Sequence, residues 1–242
     1  MPEFTDIHMH CLYGVDDGAA NEAQMRSIID ASYADGTRIL CATPHCHSGF
    51  FGDNSEESDK AFETLRDYAE TRYSDLKVFR GNELRYSGDF VNWMNSGLCR
   101  TLNGTRYVLV DFFYNESGDY IVKSIHEMLN SGYIPVLAHA ERYVNFHRDM
   151  REIIDIRENG AVIQMDATSP FGGWGLGDKI RSRRILEHGL YDIVGSDAHN
   201  TTTRPPILSD CYRFVMGKYG EDLADSMFCR KGIELLGLDS QS

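Results

Sequence analysis

The chain has 242 residues, 42% hydrophobic and 25% charged, with a formal net charge of −13. That length and composition suit a soluble globular protein able to bury a core, and the acidic balance argues against a nucleic-acid surface, which needs a basic patch. No apolar run reaches membrane-spanning length and the amino terminus lacks a signal peptide's basic and apolar regions, so neither membrane insertion nor export is expected. The cysteines Cys11, Cys41, Cys46, Cys99, Cys211 and Cys229 form no Cys-x-x-Cys and read as free thiols in a reducing, cytoplasmic compartment.

In chain order, Phe4–His8 reads as a strand, followed by an amphipathic helix over Glu22–Ala34. Asp35-Gly36 then introduces strand Thr37–Thr43, helix Ser55–Arg72 and strands Leu76–Arg80 and Tyr107–Val110. Helix Tyr120–Asn130 ends at Ser131-Gly132 before strand Tyr133–Ala138, and helix Asp149–Glu158 ends at Asn159-Gly160 before strand Ala161–Met165. Helix Asp178–Glu187 ends at His188-Gly189 before strand Leu190–Gly195, and Pro205–Leu238 reads as a helical carboxy-terminal cap. Glycine just past a helix accepts the left-handed conformation that ends it, so the repeated phrase marks helix-to-strand junctions. Short apolar strands alternating with helices predict a parallel α/β architecture, here one domain over residues 1–242.

Chemistry concentrates where strands end, the place a β/α barrel puts its functional side chains. His8 and His10 share one face of an extended strand, as do Asp197 and His199. Between those pairs the strand ends offer Asp17, His45 with His47, Glu83, Asp111, His139 with Glu141 and Arg142, and Asp166. A mixed imidazole and carboxylate set suits Mn²⁺, Fe or Zn²⁺, whereas oxygen ligands alone would suit Mg²⁺ or Ca²⁺. So many ligands point to a centre of two or three ions, of the kind that clamps attacking and leaving oxygens in phosphoester hydrolysis. Other residues read as structural: His126 within a helix, His147 in a polar loop, His188 at a helix end, and Glu141 as a hydrogen-bonding support. His47 reads equally as a proton donor or an exposed loop residue, and Asp166 as a cap more than a pocket residue. The glycine-rich segment 171–177 lacks a nucleotide loop's Gly-Lys-Ser/Thr ending and reads as a flexible lip. A cysteine-nucleophile phosphatase needs arginine six residues after its cysteine; those positions hold Asp17, His47, Gly52, Thr105, Gly217 and Leu235. No Gly-x-Ser-x-Gly elbow occurs either, which removes that serine-hydrolase arrangement.

Asp6-Ile7-His8-Met9-His10, Thr43-Pro44-His45, Gly81-Asn82-Glu83, Ala138-His139-Ala140-Glu141-Arg142-Tyr143 and Ser196-Asp197-Ala198-His199-Asn200 together resemble the polymerase-and-histidinol-phosphatase (PHP) superfamily. Val15-Asp16-Asp17-Gly18, the His-Ala-Glu-Arg-Tyr run and Arg204-Pro205-Pro206 are similar, more closely, to the bacterial capsular and exopolysaccharide tyrosine phosphatases. The resemblance implies a distorted seven-stranded (β/α)7 TIM-like barrel with a trinuclear metal centre, manganese first among its cofactors. His8, His10 and Asp197 would hold one metal, with Glu83 bridging to a second that takes Asp111 and His139. Asp17, His45 and His199 would hold the third, Asp17 being preferred to Asp16 as the residue next to the glycine. Arg142 and Arg204 match the family's phosphate-binding arginines, whose forked guanidinium groups suit two phosphate oxygens. The implied substrate is a phosphotyrosine protein, the tyrosine-rich tail of a bacterial tyrosine kinase that controls capsule or exopolysaccharide synthesis. Histidinol-phosphate phosphatase, another PHP phosphoesterase or nuclease, and a non-catalytic kinase-binding regulator are the alternatives. Cys46-His47, where the family often carries basic or amide residues, and the glycine-rich 171–177 segment depart from the pattern.

Overall fold

Every paired strand runs parallel to its neighbour, as the helix–glycine–strand phrases predict. The computed structural model describes residues 2–46, 53–145 and 150–239. The strands are β1 (Phe4–Met9), β2 (Thr37–Ala42), β3 (His45–Cys46), β4 (Lys77–Arg80), β5 (Glu83–Arg85), β6 (Tyr107–Asp111), β7 (Ile134–Leu137), β8 (Val162–Asp166) and β9 (Ile193–Gly195). Between them lie α1 (Glu22–Asp35), α2 (Ser55–Arg72), α3 (Phe90–Ser96), α4 (Gly118–Asn130), α5 (Arg151–Glu158) and α6 (Leu176–Glu187). Gly36 illustrates the junctions: with φ at +117° it closes α1 and its carbonyl accepts the Phe4 N–H at 3.0 Å, tying the helix end to β1.

The strands form a three-stranded sheet, β1-β2-β4, and a six-stranded sheet, β3-β5-β6-β7-β8-β9. Both curl around one interior, and a parallel bridge between Met9 and Ala198 closes the seam, with Asp197 N–H donating to His8 O at 2.9 Å. All seven expected strand segments form, but β3 and β5 are additional short strands. Pro44, which has no N–H to give, separates β2 from β3, and Gly81-Asn82 separates β4 from β5. The architecture is therefore a mixed α/β fold with curled parallel sheets, not an unbroken seven-stranded ring.

Strand alternation explains how this sheet makes a site. On β6, Val108 and Val110 pack outward while Leu109 joins the interior cluster and Asp111 continues its face. Ile163 and Met165 of β8 likewise face out, leaving Val162, Gln164 and Asp166 on the inner row; β9 repeats this with Ile193 inside and Val194 outside. Inner rows are thus apolar low in the strands and polar at their carboxy-terminal ends. On β1 a register irregularity between Asp6 and Met9 shifts the phase, so Ile7 fills the interior cluster while Met9 packs under α1 and α2.

The chain ends in α7 (Ser209–Tyr219), α8 (Glu221–Asp225), a π-helical stretch Ser226–Arg230 and α9 (Lys231–Leu235). Leu235 and Leu236 plug the apolar end of the interior, and the rings of Tyr212 and Phe228 meet Phe4 at 5.4 and 6.1 Å. No helix among the described residues is long and apolar enough to cross a membrane.

The reading of six free thiols is corrected. Cys11, Cys41, Cys211 and Cys229 are free, but Cys46 and Cys99 form a disulfide across 53 residues. Asn82 brings them together: its side chain donates to Pro44 O at 3.0 Å and accepts Arg100 N–H at 2.9 Å, laying the chain after α3 alongside β3.

Candidate metal centre

His8 on β1 and His10, the residue just past its end, have their Nε2 atoms 3.3 Å apart. Glu83, at the start of β5, places Oε1 3.4 Å from His8 Nε2 and Oε2 3.3 Å from His10 Nε2. Asp197 Oδ1 stands 3.3 Å from His8 Nε2 and 3.4 Å from His10 Nε2. His139 Nε2 and His45 Nδ1 each approach Glu83 at 3.0 Å from opposite sides. Asp17 lies beyond, 3.3 Å from His199 Nε2 and 3.7 Å from His45 Nε2. Three sets of donors gather within 4.8 Å: His8, His10 and Asp197; His8, Glu83 and His139; and His10, Asp17, His45 and His199.

Two of these residues sit in backbone conformations that L-residues avoid. His139 has φ +34° and Asp197 φ +50°, two of the four non-glycine residues with positive φ among those described. Such strain persists where the surroundings hold it, and functional sites collect it. At His139 the turn leads into one 3₁₀ turn, Ala140–Arg142, which returns Arg142 to the same cavity. At Asp197 it precedes a loop closed by Asn200, whose Oδ1 accepts the N–H of Thr202, Thr203 and Arg204 at 3.0, 2.7 and 3.1 Å. That loop brings Arg204 back onto Asp197.

The donor chemistry fits divalent cations. Gln164 Oε1 accepts the His139 backbone N–H at 3.2 Å, so it is the amide oxygen that meets His8 Nδ1 at 2.9 Å, and His8 donates there. His10 Nδ1 likewise donates to Asp16 Oδ2 at 2.6 Å. Both Nε2 lone pairs therefore point at each other and at two carboxylates, a buried arrangement that needs positive charge among its members. Burial alone would lower His8, yet Glu83 and Asp197 outweigh it and raise the imidazole; Asp16 and Glu83 do the same for His10. Burial would raise Glu83, but the surrounding imidazoles, His8 first, hold it well below the carboxylate range. Burial acts the same way on Asp197, where Arg142 and His8 reverse it. His139 differs: burial and the nearby Arg142 charge push it down to about 4, leaving a neutral imidazole whose lone pair could serve a metal.

Asp111 stands apart from the three donor sets. Arg85 Nε donates to both its oxygens at 2.8 Å and Arg85 Nη2 adds a third contact at 2.6 Å. Burial and the Glu83 charge still raise this carboxyl to about 7. Arg142 Nη2 and Arg204 Nη2 both reach Asp197 Oδ2 at 2.7 Å. Next to the donor sets opens a cavity of about 450 Å³ into which Arg85, Arg142, Arg181 and Arg204 look, with Tyr114, Val144 and Trp174 on its walls. Asp17, Glu83, Asp111, Asp178 and Asp197 line the same cavity, so guanidinium groups that suit an anion stand beside carboxylates that suit cations.

The family model for capsular polysaccharide synthesis proteins of the CpsB/CapC type matches residues 4–237. The chain belongs to this family. Tyrosine-protein phosphatase CpsB of Streptococcus pneumoniae is 32% identical over 228 residues, covering 92% of this chain and 94% of that one. Tyrosine-protein phosphatase YwqE of Bacillus subtilis is 29% identical over 218 residues, covering 90% and 86% respectively. A crystal structure described with those of YwqE from Bacillus subtilis and CpsB from Streptococcus pneumoniae, as metal-dependent tyrosine phosphatases, superposes with a TM-score of 0.84. It shares 29% identity with this chain, covering 98% of it and 95% of the other.

Within this family member, sequence reasoning passed over Gln164 and read the roles of several other residues only in part. Asp16 Oδ2, besides the His10 ring, accepts His45 N–H at 3.0 Å, and its Oδ1 accepts Gly18 N–H at 3.0 Å. Gln164, a polar residue inside an apolar strand, was the available signal for the support of His8. Asp166 both caps, accepting Thr168 N–H at 2.6 Å, and serves the cavity, accepting Arg142 and Trp174 Nε1. Glu141 is a support: Oε1 accepts Asp166 N–H at 2.9 Å and Oε2 accepts Tyr191 O–H at 3.0 Å. His126 joins α4 to α5 through Asp155 at 2.9 Å, and His188 closes α6 against Arg184 O at 2.8 Å. His47 and His147 lie outside the described residues.

Proposed function

We propose that this chain is a metal-dependent tyrosine-protein phosphatase that hydrolyses phosphotyrosine on a protein substrate, the tyrosine-rich tail of a bacterial tyrosine kinase governing capsule or exopolysaccharide synthesis. The observation that carries the reading is the junction of buried imidazole–carboxylate donor sets with an arginine-lined cavity in a CpsB/CapC fold. His8, His10 and Asp197 are read as holding one metal, Glu83 and His139 with Asp111 a second, and Asp17, His45 and His199 a third, manganese before iron or zinc. When bound, such ions supply an acidic water and neutralise phosphoryl charge.

The chain's own residues do the rest. Arg142 and Arg204 take the non-bridging phosphate oxygens, and Asp197 Oδ2 holds both guanidinium groups to one point. Tyr114, Val144 and Trp174 line the cavity beside the place of the aryl ring. The leaving tyrosinate has a conjugate acid of pKa about 10, so departure needs no strong general acid from the protein. Reading β2 with β3, and β4 with β5, as strands broken at Pro44 and Gly81-Asn82 gives seven β/α units in a single domain of residues 1–242, with 205–238 as its cap. A cytoplasmic setting accords with the four free thiols, whereas the Cys46–Cys99 disulfide is a feature more common in oxidising compartments.

Leaving-group quality gives the test. A phosphotyrosine peptide should release phosphate far faster than the same peptide carrying phosphoserine, whose alkoxide leaves poorly. Equal rates on the two peptides would sink the reading.

A further inference from the structure

Among the large side chains of the glycine-rich segment 171–177, Phe171, Trp174 and Leu176, the placement of Trp174 is specific. Trp174 Nε1 donates to Asp166 Oδ2 at 2.9 Å, the same oxygen that accepts Arg142 Nη2. The guanidinium carbons of Arg142 and Arg204 lie 3.9 and 4.9 Å from the indole centroid. One aromatic ring therefore touches both arginines while its edge is tied to the carboxylate that holds one of them. The backbone is bent to allow it: Gly172 and Gly175 have φ of +92° and +112°, and any side chain at 173 would collide with Thr168.

The indole answers a problem the two arginines create. Both donate to Asp197 Oδ2 at 2.7 Å, so two like charges converge on one oxygen. Asp166 relieves part of the repulsion at Arg142, but each carboxylate that does so occupies an N–H group an incoming anion needs. An aromatic face attracts both cations through its quadrupole and consumes no donor. Among the described residues the buried Nε atoms of Arg142 and Arg204 have no hydrogen-bond partner.

We propose that Trp174 is a positioning residue that holds Arg142 and Arg204 at the spacing that accepts a phosphoryl group. The inference rests on the reading of those two arginines as phosphate-binding groups. Its test uses the metal-loaded full chain and inorganic phosphate as the probe. Trp174→Leu should weaken phosphate binding and raise KM for a phosphotyrosine peptide roughly tenfold, as loss of two cation–π contacts implies, with kcat, metal content and melting temperature much less affected. Trp174→Phe, which keeps the ring face, should restore phosphate affinity to within about threefold of the parent. In a Trp93→Phe background Trp174 is the sole tryptophan, and its emission should change on phosphate addition with the constant measured by competition. Phosphate affinity unchanged in Trp174→Leu but weakened in Arg204→Gln, or a silent Trp174, would overturn the positioning role and leave the arginine reading intact. Phosphate affinity unchanged in both Arg142→Gln and Arg204→Gln would remove that reading and this inference with it.

Discussion

Asp16→Asn isolates the support of the metal centre from its ligands. The Asp16 carboxylate is buried, accepts His10 Nδ1–H at 2.6 Å and the His45 N–H at 3.0 Å on one oxygen, and the Gly18 N–H on the other. It thereby sets the tautomer of His10, the position of His45 and the turn that carries Asp17. Asparagine is isosteric but uncharged, and it presents one acceptor oxygen where three donors converge. Removing a carboxylate that orients a ligating histidine costs ~10–100-fold in metal affinity, which is ~1.4–2.7 kcal/mol. A hydrogen bond to a charged group is independently worth ~1.5–3 kcal/mol, so the two routes agree. Mn²⁺ titration by calorimetry on metal-stripped protein reads the effect directly. Asp17→Asn, which changes a proposed ligand itself, should lose at least as much. Wild-type metal affinity in Asp16→Asn would refute the orienting role, and a harmless Asp17→Asn beside a crippled Asp16→Asn would reverse the two assignments.

Three further outcomes follow from packing and burial. An added Cβ at Gly195 would stand 2.8 Å from His8 Cβ and closer still to the Gln164 amide, so Gly195→Ala should cost ~1–3 kcal/mol by overpacking and weaken metal binding; an unchanged melt and titration would contradict it. Leu235→Ala empties part of the buried interior plug and should lower unfolding free energy by about 2–5 kcal/mol; a denaturant melt showing under about 1 kcal/mol would place α9 outside the cooperative core. Burial, with the Asp225 carboxylate nearby, pushes the Cys229 thiol up to about 11. Because only the thiolate reacts, its alkylation rate should keep climbing through pH 10, whereas a plateau near pH 9 would show an unperturbed thiol.

Much of the fold was legible because period and punctuation are local. The glycine after each helix located the start of β2, β7, β8 and β9 to within three residues, since a left-handed cap is decided by that residue alone. The rows Leu109–Asp111 and Val162–Gln164–Asp166 show why strand ends could be searched for chemistry: alternation carries one face from apolar packing to the polar rim. What escaped depended on partners distant in sequence. Cys46 and Cys99 are 53 residues apart, with Asn82 tying their flanking segments, and nothing near either cysteine announces the pairing. A carboxylate at the end of β6 could be read from sequence, but not that Arg85 of the neighbouring strand would engage both its oxygens. Trp174 was read only as part of a glycine-rich lip, because its significance lies in two arginines 32 residues before and 30 after it.

The central claim is that buried histidines and carboxylates load metal ions which, with Arg142 and Arg204, hydrolyse phosphotyrosine. The most direct test is phosphate release from a phosphotyrosine peptide and from histidinol phosphate, each with metal-stripped and Mn²⁺-reloaded protein. The account predicts turnover of the peptide only after reloading, well above that of histidinol phosphate. Equal turnover after stripping, or preference for histidinol phosphate, would contradict it.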